Sequence, residues 1–258
     1  MAHTLITGAS GGIGEQLARV FAKNGHSLVL AARNINKLQA LAGELSSAHG
    51  VDCIAIASDL TSPNAAEALF NETRARGVDV DILINNAGLL CEGPLQANDL
   101  QTHMNLIQVN VSACTALAWL YLQPMLEAKR GRILNVASTS SFQPVPFLST
   151  YAASKAYLLS FSEALWIETR GTGVTVTALC PGFTNTDMIN RDDGRKPMTL
   201  PFVRNMEAHE VAEEGYAACM AGKAMHINGR MNQAVVEATR FQPRPMRRFL
   251  SGLIAKGF

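Results

Sequence analysis

Charged residues are scarce, 17% of the 258-residue chain, and they nearly cancel: 22 Lys and Arg against 21 Asp and Glu leave a net charge of +1. That balance supplies no global field to draw in nucleic acid or an acidic partner. The five cysteines, Cys53, Cys91, Cys114, Cys180 and Cys219, are odd in number, scattered, and form no C-x-x-C. They argue against a disulfide framework and for buried thiols in a reducing compartment. The six histidines show no metal-ligand spacing with the cysteines or each other, so no metal is expected. A charged N-terminal region followed by a long apolar run is missing, so no signal peptide is expected. No apolar stretch is read as reaching membrane-spanning length. Linkers, composition breaks and internal repeats are absent too. With 48% hydrophobic residues, the chain can fill a sizeable core. The expectation is a soluble cytoplasmic protein.

What is present begins with Thr7-Gly8-Ala9-Ser10-Gly11-Gly12-Ile13-Gly14, placed between the apolar Leu5-Ile6 and a helical pattern from Glu15. Strand, glycine turn, helix is a phosphate-binding context. The backbone can approach an anion closely, and the new helix turns its free N–H groups and positive dipole end toward it. An ordinary turn in an α/β protein uses such glycines as well. Strands are expected over 27–31, 53–57, 81–84, 131–136 and 174–179, with a short one near 225–227. A helix is expected from Lys37 to near Gly50, and Pro63 is expected early in the next one. Two long helices follow, from about Asn98 to Gln123 and from about Thr150 to Arg170. Strands apolar on both faces, alternating with helices, imply an α/β fold: a doubly wound, Rossmann-like parallel sheet covered on both faces. One domain is expected over 1–222, with 223–258 as its C-terminal helical extension. Within that extension, Pro243 to Lys256 can form a short basic amphipathic helix, docked on protein or touching an anionic membrane surface.

Ligands of such sheets sit beyond the carboxyl ends of the strands. The glycine turn follows strand one, Arg33 strand two, Asp59 strand three, Asn85-Asn86-Ala87-Gly88 strand four, Ser138 strand five and Pro181-Gly182 strand six. All these segments fall on one edge, which points to a dinucleotide enzyme. After strand two no acid is available for a ribose 2′-hydroxyl, whereas Arg33 offers a planar fork of donors to a 2′-phosphate. NADP(H) is therefore favoured over NAD(H). Arg33 also suits a solvated helix start, and the glycine loop carries no second basic residue. Tyr151 and Lys155, four residues apart, share one helix face.

The spacing T-G-x-x-x-G-x-G, the Asn85–Gly88 run, the order Asn110, Ser138, Tyr151, Lys155, and Pro181-Gly182 resemble the short-chain dehydrogenase/reductase family over about residues 4–186. The resemblance implies a catalytic tetrad of Asn110, Ser138, Tyr151 and Lys155. Tyr151 would be the general acid/base. Lys155, with an oxidised nicotinamide, would lower its pKa and would also hold the nicotinamide ribose. Ser138 would orient the substrate oxygen, and Asn110 would hold a water linking Lys155 to solvent. Asn110 equally suits an amide that satisfies backbone in a helix kink, and Thr139, Ser140 or Ser141 takes the place of Ser138 if the register shifts. Cofactor contacts are implied for Gly8, Ser10, Gly12, Ile13, Gly14, Asn86, Ala87, Gly88, Pro181 and Gly182, with Thr186 at the nicotinamide carboxamide and Asp59 by the adenine. A helix cap is an equal use for Asp59.

The implied activity is NADP(H)-dependent carbonyl reduction or alcohol oxidation. Leu89-Leu90, Phe142, Val145, Pro146-Phe147-Leu148, Phe183, Met188, Met198 and Phe202 favour a hydrophobic ketone or aldehyde, unless several are plain core. Residues 190–204 read as a mobile lid. In the family the two long helices form a two-fold interface, which implies a homodimer or homotetramer. The competing readings are a non-catalytic NADP(H)-binding sensor or scaffold on the same fold, and an NAD-dependent oxidation.

Overall fold

The computed structural model describes residues 2–186, 188, 204–240, 242, 243, 245, 246, 248 and 251. Its strands are β1 (Ala2–Thr7), β2 (Ser27–Ala32), β3 (Cys53–Ala57), β4 (Asp79–Asn85), β5 (Gly131–Val136), β6 (Val174–Cys180), β7 (Thr184–Asn185), β8 (Met206–Glu207) and β9 (Met225–Ile227). Seven of them pair in parallel in the order β3-β2-β1-β4-β5-β6-β9. The order reverses between β1 and β4, and a crevice opens at such a switch point beyond the strand ends. β7 and β8 form a separate parallel pair.

Every residue of β2 is buried, and β1 is buried from His3 to Thr7. That is the pattern of a sheet covered on both faces. On one face, helices α1 (Gly12–Lys23), α2 (Ile35–His49) and α7 (Ala208–Met220) bring Leu17, Phe21, Leu38, Leu45 and Val211 against Ile6, Leu30 and Ile84. On the other, α3 (Ala65–Ala75), α5 (Cys114–Glu127) and α6 (Ser149–Glu168) bring Leu69, Leu117, Tyr121 and Leu165 against Leu5, Val29 and Leu83. The doubly wound Rossmann-like fold is thus the one expected. β9 joins β6, and α8 (Arg230–Arg240) follows it.

Several local expectations are corrected. The first long helix is a rod of two pieces, α4 (Leu100–Ile107) and α5, joined by a π-helical turn at Gln108–Ala113. It runs past Pro124 to Glu127. The whole rod, Leu100–Glu127, is long and apolar enough to cross a bilayer by length and composition. Its polar residues interrupt every long apolar run, but they carry few charges, so the rod still passes by composition. Here Leu117, Ala118 and Tyr121 of the rod are core. Pro63 lies in the turn before α3, whose cap position is Asn64. The sequence reading missed α7 because Glu207 and Glu210 form its capping box, in place of the usual Ser or Thr. The lid at 190–204, except Arg204, lies outside the described residues, as do Met198 and Phe202. So does the tail helix over 243–256, apart from single residues.

Candidate active site

The glycine turn leaves β1 with Gly8 at φ +67°, where a β-carbon would also stand 2.9 Å from Ala87 Cα. Left-handed backbone and close approach together call for glycine. Thr7 and Asn86 hold the turn to the end of β4. The Thr7 hydroxyl donates to Ile84 O (3.2 Å) and accepts from the N–H groups of Asn86 and Ala87 (both 3.1 Å). Asn86 Nδ2 donates back to Thr7 O (2.9 Å) and Gly8 O (3.2 Å). α1 then starts with no side-chain cap, whereas Asn34 caps α2 and Asp99 caps α4. Its first N–H groups stay available to an outside anion.

A cavity of about 460 Å³ runs along the carboxyl edge of the sheet. It is lined by Gly8, Ser10, Gly12, Ile13, Arg33, Asp59, Asn86, Ala87, Gly88, Ser138, Tyr151, Lys155, Pro181, Gly182 and Thr186. Of the catalytic and cofactor-binding residues read from the sequence, only Gly14 and Asn110 do not line it. At one end stand Arg33 and Lys37, both exposed, the second in the first turn of α2. Lys37 supplies the second cation that the glycine loop lacks; the sequence reading missed it, although it is four residues beyond Arg33. Asp59 lines the same end and accepts from Thr61 N (3.1 Å) and Thr61 Oγ1 (2.9 Å), closing its own turn rather than capping α3. Uncapped N–H donors in the middle and two cations at the end form a donor set that fits a phosphorylated dinucleotide.

At the other end, Ser138 and Tyr151 line the cavity together, the serine hydroxyl near enough to the phenol to lower its pKa. Ser138 Oγ also accepts from Ser140 N (3.1 Å). Ser141 instead donates to Lys155 O (2.9 Å), and Thr139 N to Pro181 O (2.9 Å), so of the four neighbouring hydroxyls only Ser138 lines the cavity. Lys155 Nζ lies 5.7 Å from the centre of the Tyr151 ring and donates to Val136 O (2.7 Å). No carboxylate pairs with it among the described residues. Burial pushes its ammonium below the ordinary lysine value, against a smaller opposing pull from Cys114 and Cys180. Burial pushes the Tyr151 phenol up, and the neighbouring Ser138 hydroxyl pulls it partly back. The chain's own groups therefore shift Tyr151 opposite to the direction expected with a bound cationic cofactor.

Asn110 is fully buried within the π turn. Its Oδ1 accepts from Leu89 N (2.8 Å), and its Nδ2 donates to Leu89 O (3.0 Å) and Ser154 Oγ (3.0 Å). The amide thus satisfies backbone in the segment after β4, and not inside its own kinked helix. A second buried chain was not read from the sequence: Asn85 Nδ2 donates to Asn135 Oδ1 (2.9 Å), and Asn135 Nδ2 to Ser162 Oγ (2.9 Å). Of the apolar residues expected at a substrate, Leu89 and Met188 line the cavity, while Phe142 packs beside Ala137 and Cys180.

Residues 2–196 match the model of the short chain dehydrogenase family. The chain belongs to that family. It is 31% identical to the 3-oxoacyl-[acyl-carrier-protein] reductase FabG of Escherichia coli (strain K12) over 237 residues, 88% of this chain and 96% of the relative. Among solved structures it is similar to a short-chain dehydrogenase from Sphingobium yanoikuyae in complex with NADPH. There the identity is 32% and the TM-score 0.82, over 93% of this chain and 94% of the other. It is also similar to a bulky-bulky ketone specific alcohol dehydrogenase from Comamonas testosteroni, with 28% identity and a TM-score of 0.78 over 93% and 92% of the two chains. This short-chain dehydrogenase is an oxidoreductase of a family that uses nicotinamide cofactors.

The depressed Lys155 pKa makes a signed prediction. Between its folded value and the ordinary value of ~10.4, the unfolded chain binds the extra proton, so stability rises with pH. The difference in melting temperature between the wild type and Lys155→Met should move in favour of the wild type from pH 7 to pH 10. A pH-independent difference would show that burial does not strain the ammonium.

Proposed function

We propose that this short-chain dehydrogenase is an NADP(H)-dependent carbonyl reductase or alcohol dehydrogenase acting on an apolar ketone or aldehyde and its secondary or primary alcohol. The observation that carries the reading is one continuous cavity with Arg33 and Lys37 at one end and Ser138, Tyr151 and Lys155 at the other. The NADPH complex of the Sphingobium yanoikuyae relative and the bulky-ketone specificity of the Comamonas testosteroni relative support it.

Arg33 and Lys37 would hold the 2′-phosphate, and the N-terminus of α1 the diphosphate. Thr186 and the Pro181-Gly182 backbone would face the nicotinamide. When bound, the cofactor supplies or takes the hydride. Tyr151 gives its proton to the carbonyl oxygen in reduction and takes it back in oxidation. Ser138 donates a hydrogen bond to that same oxygen and fixes it before Tyr151. Lys155 stabilises the phenolate that Tyr151 becomes. Asn110 acts through position: its amide ties Leu89 to Ser154, the residue before Lys155. Leu89 and Met188 would give the substrate end its apolar character.

The reading extends to a homodimer or homotetramer. Leu100, Met104, Ile107 and Trp119 of the rod and Tyr157 and Ile167 of α6 are exposed, Trp119 at 63% and Ile167 at 62%. Such a face suits a copy of itself across a two-fold axis.

Tyr151→Phe should lower kcat by about 10²–10⁴ while NADPH still binds. Unchanged turnover would remove Tyr151 from the chemistry, and binding without turnover in the wild type would favour the sensor. Arg33→Asp should weaken NADPH by roughly 10- to 100-fold and NADH far less. Equal affinities in variant and wild type would overturn the NADP(H) assignment. Trp119→Glu should yield monomers by light scattering; an unchanged mass would place the contact elsewhere.

A further inference from the structure

Gly182 lines the cavity, yet its backbone is outside the left-handed region, so conformation does not require glycine there. Space does. A β-carbon at Gly182 would stand 2.7 Å from both Cγ and Oδ1 of Asn232, and closer still to its Nδ2. Asn232 belongs to the first turn of α8, some 50 residues further along the chain.

We propose that Asn232 is a positioning residue whose amide props the Pro181-Gly182 end of the cofactor groove; the inference rests on the cofactor reading above. The amide has little room to give. It is 8% exposed, and its Nδ2 donates to Asn228 O at 2.8 Å. Asn228 is fully buried and is itself anchored. Its Nδ2 (3.1 Å), Gly229 N (3.3 Å) and His226 Nε2 (2.8 Å) all meet one oxygen, Oε2 of Glu214 on α7. The prop therefore stands on a carboxylate anchored in the helix layer behind the sheet.

Its position is passed on from Gly182. Gly182 O accepts from Thr184 Oγ1 (3.1 Å), and Thr184 pairs with Met206, whose sulfur lies 3.9 Å from Asn232 Nδ2. Two residues beyond Thr184, the methyl of Thr186 lies 3.2 Å from where a β-carbon on Gly12 would stand, across the groove. One turn along α8, Val236 packs with Ala137 and Cys180 behind Ser138. The same helix thus backs both strand-end loops, through an amide at one and an apolar contact at the other.

The test is a four-protein cycle: wild type, Gly182→Ala, Asn232→Ala and the double variant. It is read by NADPH titration, by kcat and KM, and by melting temperature without cofactor. Gly182→Ala should weaken NADPH about ten-fold, because the new methyl displaces the amide. Asn232→Ala should raise the KM for NADPH about three-fold with kcat held within about two-fold. The double variant should return to the level of Asn232→Ala alone, since the colliding group is gone. Simple addition of the two effects in the double variant would overturn the proposal, and so would wild-type NADPH affinity in Asn232→Ala. If the wild-type protein binds no NADPH, the cofactor reading fails. The melting temperatures then decide the prop by the same criterion: recovery in the double variant supports it, and additivity overturns it.

Discussion

The hydrogen bonds between Thr7 and Asn86 are the constraint on which the site depends. They hold the end of β1 against the end of β4, where the sheet order reverses. From that join a second line of buried amides continues sideways. Asn85 reaches Asn135 on β5, and Asn135 reaches Ser162 on α6, the helix that carries Tyr151 and Lys155. The glycine turn and the tyrosine are thus connected through short, buried bonds rather than through loops. Each such bond is costly to break, since a buried donor left without a partner costs about 1–3 kcal/mol. Rigidity of this kind keeps reacting groups in register.

Electrostatics pulls the other way. Lys155 carries its ammonium in a buried place with a carbonyl, Val136 O, and no acid paired with it among the described residues. Apolar surroundings disfavour charge on both Lys155 and Tyr151. A carboxylate next to Lys155 would relieve its strain, but would also repel a phenolate. The fold holds a locally unfavourable arrangement, and groups perturbed in this way cluster at functional sites. Positive charge from outside the chain is what the proposed cycle adds.

Much of this was legible because it is local. A glycine turn between strand and helix, and a tyrosine with a lysine four residues on, are each contained in a short window. The strand ends could be aligned because a parallel sheet places every carboxyl end on one edge. The rest depends on distance. Asn135 and Ser162 are 27 residues apart, and Asn110 meets Leu89 across 21. No spacing rule joins such pairs before the sheet order is known. Lys37 was missed for a different reason. It faces the groove only because α2 leaves β2 after just two residues, Arg33 and the cap Asn34, so its first turn stays beside the strand end. The pair β7 and β8 is too short to show any alternation.

The π turn at Gln108–Ala113 has a geometric effect beyond placing Asn110. Such a turn holds one residue more than an α-helix would, and each residue of an α-helix turns the face by about 100°. Past the turn, the rod is out of phase with its own beginning. Counted as one uninterrupted α-helix, Trp119 would point roughly 100° away from Leu100. With the extra residue taken up in the wide turn, Trp119 returns to the azimuth of Leu100, Met104 and Ile107. A stripe that looks broken on a helical wheel is therefore continuous in space, and the residue that breaks the wheel is the one that aligns the face.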